Sequence, residues 1–530
     1  MSSISASVDP DTSGSPHSEN QAPLTIDTKT PLHFIGIGGI GMSGLAKLLL
    51  ESGFTVSGSD LAENKQTDLL KSLGATIYKG HQADQLPSDA IIILSSSINT
   101  ENPEIKQALA RQQKIYHRSD LLREIFQGQA FAHQKTFGVS GTHGKTTITG
   151  MAGLAMEAAG FSPTVVVGGN VPDWQTNARL GSLTNGKRAL SIAELDESDG
   201  TIIKYTPDVT IVSNLELDHA DHYHDGLTAI KKTFTKFLNA LSGNSDVIFS
   251  VDCPETLALA KQAPSSLKKI FYTERDLSDA PAEIEALFSI EGASALYWLK
   301  NVRHHGFGAY QGYVYKQEKT AALLPSQLLG ELHLNVVGLH NLSNALSVVA
   351  ASDQLGADFE LTSAALRKFT GMGRRFENVG KLQVGEITSK EGIARLIDDY
   401  AHHPTEVRAT LQAARESVRA TGGNVIAVFQ PHRYSRLKAL WEDFCTCFDA
   451  ASHIIITDVY AASEQPIEGM SAEVFSKAIK HPATRAEYLP LEPGQFNQIR
   501  KRVLDLAKPG DVILSMGAGN ITQLFRNWSP

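Results

Sequence analysis

The segment that ends in Gly144-Lys145-Thr146-Thr147 combines residue types that bind phosphate. An apolar run ends at Val139, glycines stand at positions 138, 141 and 144, and a helix is predicted to begin at the lysine. Glycines let backbone N–H groups approach phosphate oxygens, a helix N-terminus favours an anion, lysine adds charge, and a threonine hydroxyl can hold Mg²⁺. The usual P-loop spacing has a glycine where this chain has Val139, so the pattern is only partly met. We interpret the segment as an ATP-binding loop, against the alternative of a plain strand-to-helix connection.

Acidic and imidazole side chains follow two strands predicted downstream of this loop. Glu194 and Asp196 lie at the end of one strand, and Asp218 and His219 lie at the end of the next. Carboxylates beside a phosphate loop are where divalent cations meet nucleotide oxygens. The nearby histidines also allow a zinc site, and a solvated acidic loop without a ligand is a third interpretation. The hard carboxylate oxygens favour Mg²⁺.

A second glycine-rich turn lies near the N-terminus. Gly36, Gly38 and Gly41 fit G-x-G-x-x-G between a predicted strand and helix, and Asp60 lies 19 residues beyond Gly41. This pattern is a dinucleotide fingerprint in its βαβ setting. NAD(P) and another nucleotide diphosphate remain equally open, because both present a pyrophosphate to a helix N-terminus. Ser95 ends a further buried strand, where it is either a ligand group or a surface turn hydroxyl.

Polar groups also end the strands predicted in the last third of the chain. Earlier in the chain, three polar residues are predicted near a helix N-terminus: His340, Asn341 and Asn344. Capping of the helix would explain only one of them. Further along, Arg374-Arg375 follows a pair of glycines. The strand-end groups are Asp398, Asp399, Tyr400, His402 and His403, then His432, Arg433 and Arg436, and finally Asp458. Because ligands bind at the carboxyl ends of parallel strands, this set predicts a second ligand-binding rim.

The elements that must position these groups alternate along nearly the whole chain. Apolar strands separated by helical segments predict an α/β fold with parallel sheets covered on both faces. Residues 276–329 are the exception, since their aromatic and polar alternation predicts an antiparallel flap or insertion. A length of 530 residues allows about three domains.

Composition excludes several classes of function. Hydrophobic residues make up 42% and charged residues 20%, as in an ordinary globular protein, and the net charge of −9 gives no global basic field for nucleic acid. No apolar run approaches the ~18 residues of a membrane span. The three cysteines, Cys253, Cys445 and Cys447, show no metal-type spacing. The polar first 30 residues lack a secretory signal and predict a disordered tail, so a cytoplasmic location is expected.

Taken together, these segments resemble one family, the Mur ligases of peptidoglycan synthesis. The resemblance covers residues 32–525 and is carried by GIGGIGMSG, GTHGKTT, AELDESD, SNLELDHAD, GLHNLSNA, GRRFE, DDYAHHPTE, FQPHRYSR, DVYAASE and GAGNI. It implies three α/β domains, each built on a mainly parallel sheet. The implied boundaries are a tail over residues 1–30, a Rossmann-like UDP-sugar domain over 31–132, a P-loop-type ATP domain over 133–373, and a Rossmann-like amino-acid domain over 374–530.

The resemblance also implies roles for single residues. The UDP-sugar would contact Gly36, Gly38, Gly39, Ile40, Gly41, Met42, Asp60 and Ser95. ATP would contact Gly141, Thr142, His143, Gly144, Lys145, Thr146, Thr147, His340, Asn341, Asn344, Arg374, Arg375 and Asp399. Metal ions would be held by Thr146, Glu194 and His219, and catalysis would rest on Lys145, Glu194 and His219. The amino acid would lie among Tyr400, His402, Arg433 and Arg436, where an arginine fork suits a carboxylate.

The implied activity is an ATP-dependent, Mg²⁺-assisted ligation of L-alanine to the lactoyl carboxylate of UDP-N-acetylmuramate. The carboxylate would first become an acyl phosphate, and the amine of L-alanine would then displace phosphate. The amine needs a base, and His219, His402 or a nearby carboxylate could serve. The implied partners are these small molecules, with no nucleic acid and no membrane insertion, and a monomer or weak homodimer is expected.

One departure and several rivals accompany this interpretation. Several Mur relatives carry a carbamylated lysine at a position that falls here on Phe234, and Lys232 or Lys236 would be a forced substitute. A recycling ligase that attaches a tripeptide to the same UDP-sugar is the nearest rival. An NAD(P)-dependent oxidoreductase would explain the first glycine turn but not the GTHGKTT loop. A nucleotide sensor without an amide product is the third alternative.

Overall fold

The strands of the protein form three separate sheets of five, eleven and six strands. The computed structural model describes residues 22–184, 187–218, 222–223, 225–305, 308–320, 325–384, 392–419, 421–491, 496–526 and 528. Most strand pairs in all three sheets are parallel, and helices connect the strands. The predicted α/β class with mainly parallel sheets is confirmed.

The first sheet has the strand order β3-β2-β1-β4-β5, and all of its pairs are parallel. Its strands are β1 (Leu32–Ile35), β2 (Val56–Asp60), β3 (Thr76–Lys79), β4 (Ile91–Leu94) and β5 (Ile115–His117). The helices that cover it are α1 (Ile40–Glu51), α2 (Lys65–Ser72), α3 (Pro103–Ala110) and α4 (Arg118–Gln127). β2 and β3 lie on one side of β1, and β4 and β5 lie on its other side, so the topological switch point of the sheet is between β1 and β4. A ligand cleft is expected at the carboxyl ends of these two strands.

The end of the expected tail is packed against this first domain. Leu24 and Ile26 are 4% and 8% exposed, and the Tyr116 hydroxyl donates to the carbonyl oxygen of Ala22 at 3.2 Å. Two apolar side chains within a polar stretch are enough to dock an extended segment on a neighbouring core. The structure therefore differs from the expected disorder over residues 22–30, and residues 1–21 lie outside the described part of the chain.

The central sheet has the order β16-β15-β14-β13-β12-β11-β6-β10-β7-β8, with β9 beside β10. Its strands are β6 (His133–Ser140), β7 (Thr164–Val171), β8 (Thr176–Arg179), β9 (Leu183–Thr184), β10 (Lys187–Glu194), β11 (Val209–Val212), β12 (Asp246–Ser250), β13 (Lys268–Thr273), β14 (Ala293–His305), β15 (Ala309–Glu318) and β16 (Gln327–Val337). Its helices are α5 (Lys145–Ala158), α6 (Leu227–Ala240), α7 (Pro254–Gln262), α8 (Pro281–Phe288), α9 (Leu339–Gln354) and α10 (Phe359–Lys368).

The predicted flap corresponds to the antiparallel end of this sheet. β14 pairs in parallel with β13 and antiparallel with β15, and β15 pairs antiparallel with β16. The predicted range also contains α8, which begins with a proline at its first turn and has buried residues on one face. The flap is therefore a continuation of the central sheet and not an insertion beside it.

The third sheet has the order β17-β18-β22-β19-β20-β21, in which β17 pairs antiparallel and the other pairs are parallel. Its strands are β17 (Glu377–Gln383), β18 (Ile393–Asp399), β19 (Val425–Phe429), β20 (His453–Ile456), β21 (Glu487–Tyr488) and β22 (Val512–Met516). Its helices are α11 (Pro404–Ser417), α12 (Tyr434–Ala439), α13 (Trp441–Cys445), α14 (Ala472–Ala478) and α15 (Asn497–Leu506). Among the helices described in all three domains, none is both long and apolar enough to cross a membrane.

Direct contacts join the three domains. Asn177 on β8 donates to the carbonyl oxygen of Ile40 at 2.5 Å, which fixes the start of α1 against the central sheet. The ring nitrogen Nε2 of His403 lies 3.0 Å from the carbonyl oxygen of Leu217, across the boundary between the central and third sheets. The carboxyl ends of strands from all three sheets thus face a common space.

Candidate active site

A cleft of about 1190 Å³ lies where the three domains meet. Its lining combines the glycine turn of the first domain, the glycine-lysine loop of the central domain and the arginine-rich strand ends of the third domain. The residues from these three sources include Gly39, Ile40 and Gly41; Gly144, Lys145 and Thr146; and Arg375, Arg433 and Arg436. The structure therefore brings together groups that are up to 490 positions apart in the sequence, from Gly36 to Arg526.

The phosphate-type loop runs from the end of β6 to the start of α5 and depends on glycine for its shape. Gly141 and Gly144 have φ angles of 123° and 84°, which favour glycine over residues with a Cβ. A Cβ on Gly141 would lie 2.2 Å from Ser213 Oγ, so the loop also lacks room for one. The result is a tight turn that points the N-terminus of α5 at the cleft, as an anion site requires.

Lys145 is held inside this loop as a buried cation. Its Nζ donates to the carbonyl oxygen of Gly141 at 2.7 Å and forms an ion pair with Glu197 at 2.9 Å. Burial opposes the charge, but Glu197, Asp196 and Glu194 outweigh it and raise the pKa of Lys145 above its usual value. The lysine therefore carries a fixed positive charge where phosphate oxygens would approach.

Thr146 and Glu194 form an oxygen-rich pair beside the lysine. The Thr146 hydroxyl donates to Glu194 Oε1 at 3.1 Å, and the backbone N–H of Gly168 donates to Glu194 Oε2 at 2.7 Å. Burial raises the pKa of Glu194 above its usual value. A hydroxyl and a carboxylate are the ligand types that Mg²⁺ prefers, so this pair fits the expected cation. The expected third ligand, His219, lies outside the described residues.

Three of the residues expected to contact ATP, His340, Asn341 and Asn344, lie on the first turns of α9, next to the loop. A Cβ on Gly144 would lie 2.9 Å from Asn344 Oδ1, which shows how closely α9 approaches the loop. His340 and Asn344 line a second cavity of about 650 Å³ between the central and third domains. Asn341 does not line this cavity; its side chain donates to the carbonyl oxygen of Val337 at 2.7 Å and accepts from Asn344 Nδ2 at 3.4 Å. Burial lowers the pKa of His340 to about 4, so its ring is neutral.

The third domain reaches the cleft through a strained turn at Arg374-Arg375. Arg374 has a φ angle of 58°, and both guanidinium groups lie over the Tyr400 ring at 4.8 and 5.2 Å. Asp399 accepts the backbone N–H groups of Phe376 and Ala401, each at 2.7 Å, and does not line the cleft. This geometry gives Asp399 the role of fixing the turn, while the two arginines lie at the cleft wall.

The residues expected to bind the amino acid lie together at the ends of β18 and β19. Tyr400, His402, Arg433 and Arg436 all line the cleft. Arg436 donates through Nε to Asp218 at 2.9 Å and through Nη1 to His432 Nδ1 at 3.0 Å. Arg433 is 33% exposed and lies 3.9 Å from Glu464. The side chain of Arg436 is therefore locked to the central domain, whereas Arg433 is the more open of the two.

At the first domain, the glycine turn begins at Gly36, which has a φ angle of 81°. Ser95 lines the same end of the cleft. The Gly38 N–H donates to Asp60 Oδ2 at 2.9 Å, and neither Gly38 nor Asp60 lines the cleft. Asp60 thus stabilises the turn from the side away from the cleft. Its expected contact with the UDP-sugar remains a prediction, and this geometry does not support it.

Three charged residues of the site were missed by the sequence reasoning. Arg118 lies in front of the glycine turn, since a Cβ on Gly41 would lie 3.3 Å from its Nη1, and it donates to Asp196 at 3.1 Å. His143 is flanked by Glu216 of its own domain at 3.4 Å and by Glu406 of the third domain at 3.3 Å. The signal for Arg118 was its position directly after β5, as the first residue of α4. The two glutamates gave no signal, because their role depends on contacts between domains.

The position of the carbamylated lysine of other Mur relatives is occupied by a core residue. Phe234 is fully buried in α6. Lys232 is 67% exposed and pairs with Asp225 at 3.7 Å, and Lys236 is also exposed. Neither lysine lines the cleft, so neither is assigned the role of the carbamylated lysine.

Comparison with known proteins identifies the family. Three Mur ligase profiles match in order: the Mur ligase family catalytic domain at residues 31–130, the Mur ligase middle domain at 139–352, and the Mur ligase glutamate ligase domain at 374–519. The UDP-N-acetylmuramate–L-alanine ligase of Synechococcus sp. (strain JA-2-3B'a(2-13)) is 37% identical over 94% of this chain and 93% of its own length. The enzyme of the same name from Thermosynechococcus vestitus is 38% identical, over 93% of this chain and 94% of its own.

A solved structure agrees with these relatives. The crystal structure of UDP-N-acetylmuramate–alanine ligase from Thermotoga maritima superposes with a TM-score of 0.69 at 26% identity. It covers 93% of this chain and 97% of the other. Sequence and structure are therefore similar over all three domains and not only at the phosphate loop. The chain belongs to the Mur ligase family.

Proposed function

We propose that this protein is the ATP-dependent ligase that joins L-alanine to the lactoyl carboxylate of UDP-N-acetylmuramate in peptidoglycan precursor synthesis. The observation that carries the proposal is the single cleft in which the glycine turn, the lysine loop and the paired arginines meet. The relatives with this activity in their names span nearly the whole chain, which supports the choice of L-alanine. ATP and a nucleotide sugar are cytoplasmic substrates, so we extend the proposal to a cytoplasmic location.

The first step proposed is attack of the lactoyl carboxylate on the γ-phosphate of ATP. Two anions must approach each other, and the charge of Lys145 and the N–H groups at the start of α5 reduce this repulsion. Arg118 beside the glycine turn would hold the pyrophosphate of the sugar nucleotide, with Gly39 and Gly41 giving backbone access. Thr146 and Glu194 would hold Mg²⁺, which when bound would supply further charge for the leaving ADP.

The second step proposed is attack of the L-alanine amine on the acyl phosphate. Arg433 would receive the carboxylate of L-alanine; in support, its guanidinium is partly exposed, and Arg436 is already paired with Asp218. The acyl phosphate would hydrolyse in bulk water. Since the third domain covers the loop through His143–Glu406 and Arg436–Asp218, it would exclude water from this intermediate.

The test is phosphate release by the purified protein with ATP and Mg²⁺. We expect release only when UDP-N-acetylmuramate and L-alanine are both present, with one amide formed per phosphate. Release that is indifferent to either substrate would contradict the proposal. A nicotinamide fluorescence titration with NADH serves as the control for the oxidoreductase alternative, for which we expect no binding.

The tripeptide-recycling ligase is the remaining rival within the family. L-alanine, glycine, L-serine and the L-alanyl-γ-D-glutamyl-meso-diaminopimelate tripeptide compete as acceptors in the same assay. We expect the highest kcat/KM for L-alanine. Preference for the tripeptide would reassign the acceptor while leaving the ATP chemistry in place.

A further inference from the structure

We propose that His402 is the general base that takes a proton from the ammonium group of L-alanine. This inference rests on the proposed ligase activity and deepens its second step. An α-ammonium group is mostly protonated at neutral pH and has no lone pair for attack, so a proton acceptor must lie beside it. Two histidines, His402 and His432, lie at this end of the cleft. The base is identified by which ring nitrogen of each carries the proton and which has a free lone pair.

The hydrogen bonds of His402 fix its tautomer. Its Nδ1 lies 2.9 Å from the carbonyl oxygen of Tyr400 and 3.2 Å from Glu406 Oε2, and both of these atoms can only accept a hydrogen bond. The proton of the neutral ring must therefore be on Nδ1, which leaves the lone pair on Nε2. Among the described residues, no hydrogen-bond donor contacts this Nε2, and the side chain is 13% exposed where it lines the cleft.

His432 lies next to His402, with ring centroids 5.9 Å apart, but has the opposite tautomer. Its Nδ1 lies 3.0 Å from Nη1 of Arg436, and a guanidinium can only donate. His432 Nδ1 is therefore the acceptor of that bond, and its proton is on Nε2. His432 also stacks on Tyr460 at 5.5 Å, which fixes the ring plane. It can donate a hydrogen bond into the cleft but offers no free lone pair there.

The surroundings of His402 keep its ring without the extra proton before the substrates arrive. Burial lowers the pKa of His402 to about 4, although Glu406 opposes the shift and Arg436 adds to it, so the ring is neutral at working pH. Asp218, Tyr400 and His432 are the other titratable groups that face it. Glu406 accepts the Nδ1 proton and would stabilise the imidazolium that forms, the arrangement by which a carboxylate orients a catalytic histidine.

The proton and electron balance of the step is complete with these groups. The L-alanine ammonium gives one proton to His402 Nε2, and the freed nitrogen lone pair forms a C–N bond with the acyl carbon. The carbon–oxygen bond to the phosphoryl group then breaks, and its electron pair leaves with phosphate. Phosphate takes the second proton of the nitrogen, so the products are a neutral amide, hydrogen phosphate and one proton on His402. The imidazolium passes that proton to solvent after product release.

The test is the pH dependence of ligation by the His402→Asn variant, whose amide N–H can keep the hydrogen bond to Tyr400 while removing Nε2. Near pH 7 we expect kcat to fall by about 10²–10⁴-fold, with unchanged KM values for ATP and the UDP-sugar. The loss should shrink as pH rises, because more L-alanine arrives as the free amine. Hydroxylamine, which is largely uncharged near neutral pH, should be used at similar rates by the variant and the natural enzyme.

The matched control is His432→Asn, in the neighbouring ring with the other tautomer. We expect it to lower ligation by a factor that does not depend on pH. A pH-independent loss in His402→Asn, or an equal loss with hydroxylamine, would overturn the inference and leave His402 a structural role. Wild-type phosphate release that needs both substrates must be seen first; its absence would contradict the proposed function itself, whereas a normal pH profile in an active His402→Asn contradicts only the base assignment.

Discussion

Lys145 illustrates how single residues at the phosphate site depend on one another. Its ammonium group is buried against Glu197 and bonded to the loop backbone, so the charge is in position before any nucleotide arrives. A fixed charge costs little reorganisation when the transferred phosphoryl group develops negative charge. The same arrangement means that Glu197 depends on the lysine for its own stability, because a buried carboxylate without a counter-charge is costly.

We predict that Lys145→Met lowers kcat for phosphate release by at least about 10²–10³-fold. Binding of the UDP-sugar, measured by isothermal titration calorimetry, should change little, since that ligand is expected on the first domain. The double variant Lys145→Met/Glu197→Gln removes both charges and controls for the orphaned carboxylate. It should melt at a higher temperature than the single variant and remain equally inactive. Loss of UDP-sugar binding in the double variant would mean that the roles of the two domains are assigned wrongly.

At the scale of elements, glycines with positive φ angles lie before and after helix α5, and only those before it belong to the site. Gly141 precedes the helix with a φ angle of 123°, and a Cβ there would meet Ser213 Oγ. Gly160 follows the helix with a φ angle of 87°, and a Cβ there would meet nothing within 4 Å. The backbone penalty of an added methyl group applies at both positions, but the steric conflict applies only at the loop.

We predict that Gly141→Ala raises KM for ATP by at least about tenfold, because the loop must move to admit the methyl group. Gly160→Ala should cost about 1–2 kcal/mol of stability and leave KM for ATP unchanged. The comparison needs thermal melting of both variants together with steady-state kinetics. Equal KM values for the two variants would show that the loop tolerates the methyl group and that its glycine is not needed for the phosphate site.

The elements around the cleft differ in how far the sequence predicts them. Apolar strands that end in glycine-lysine or in acids identify the loop and the strand ends, because short-range chemistry determines both. Asp60 was assigned to the ligand from its spacing, whereas the structure uses its carboxylate to hold Gly38. Glu406 reaches His143, and Glu216 accepts from Thr405, only because two domains meet, and no local pattern carries that information. The packing of Leu24 and Ile26 on the first domain depends in the same way on a surface that is distant in sequence.

At the scale of the whole molecule, the boundary between the central and third domains is held by charged groups around the phosphate loop. His143 lies 3.3 Å from Glu406 of α11 and 3.4 Å from Glu216 of the central domain, and its ring is 4.5 Å from that of His403. Thr405 donates to Glu216 at 2.5 Å, and Arg375 donates to Glu406 at 3.3 Å. The loop that would bind ATP is therefore also a structural part of the domain boundary, so ligand binding and domain closure share residues.

This arrangement predicts that the stability of the protein depends on pH through His143. Burial opposes the charge of the ring, but Glu216 and Glu406 outweigh it and raise the pKa of His143 to about 9, from about 6.5 in an unfolded chain. A raised pKa means that the folded state holds the proton more tightly, so the stabilisation is complete below about pH 6.5 and is lost as pH rises through 9. His143→Gln should remove on the order of 1–3 kcal/mol from the free energy of unfolding at pH 6.5 and much less at pH 9.5. Denaturant unfolding of the two proteins across this range measures the difference, and Glu406→Gln should reduce it because one of the two counter-charges is gone. A difference that stays constant from pH 6.5 to 9.5 would mean that the ring is uncharged in the folded protein and that the domain boundary is held by its neighbours alone.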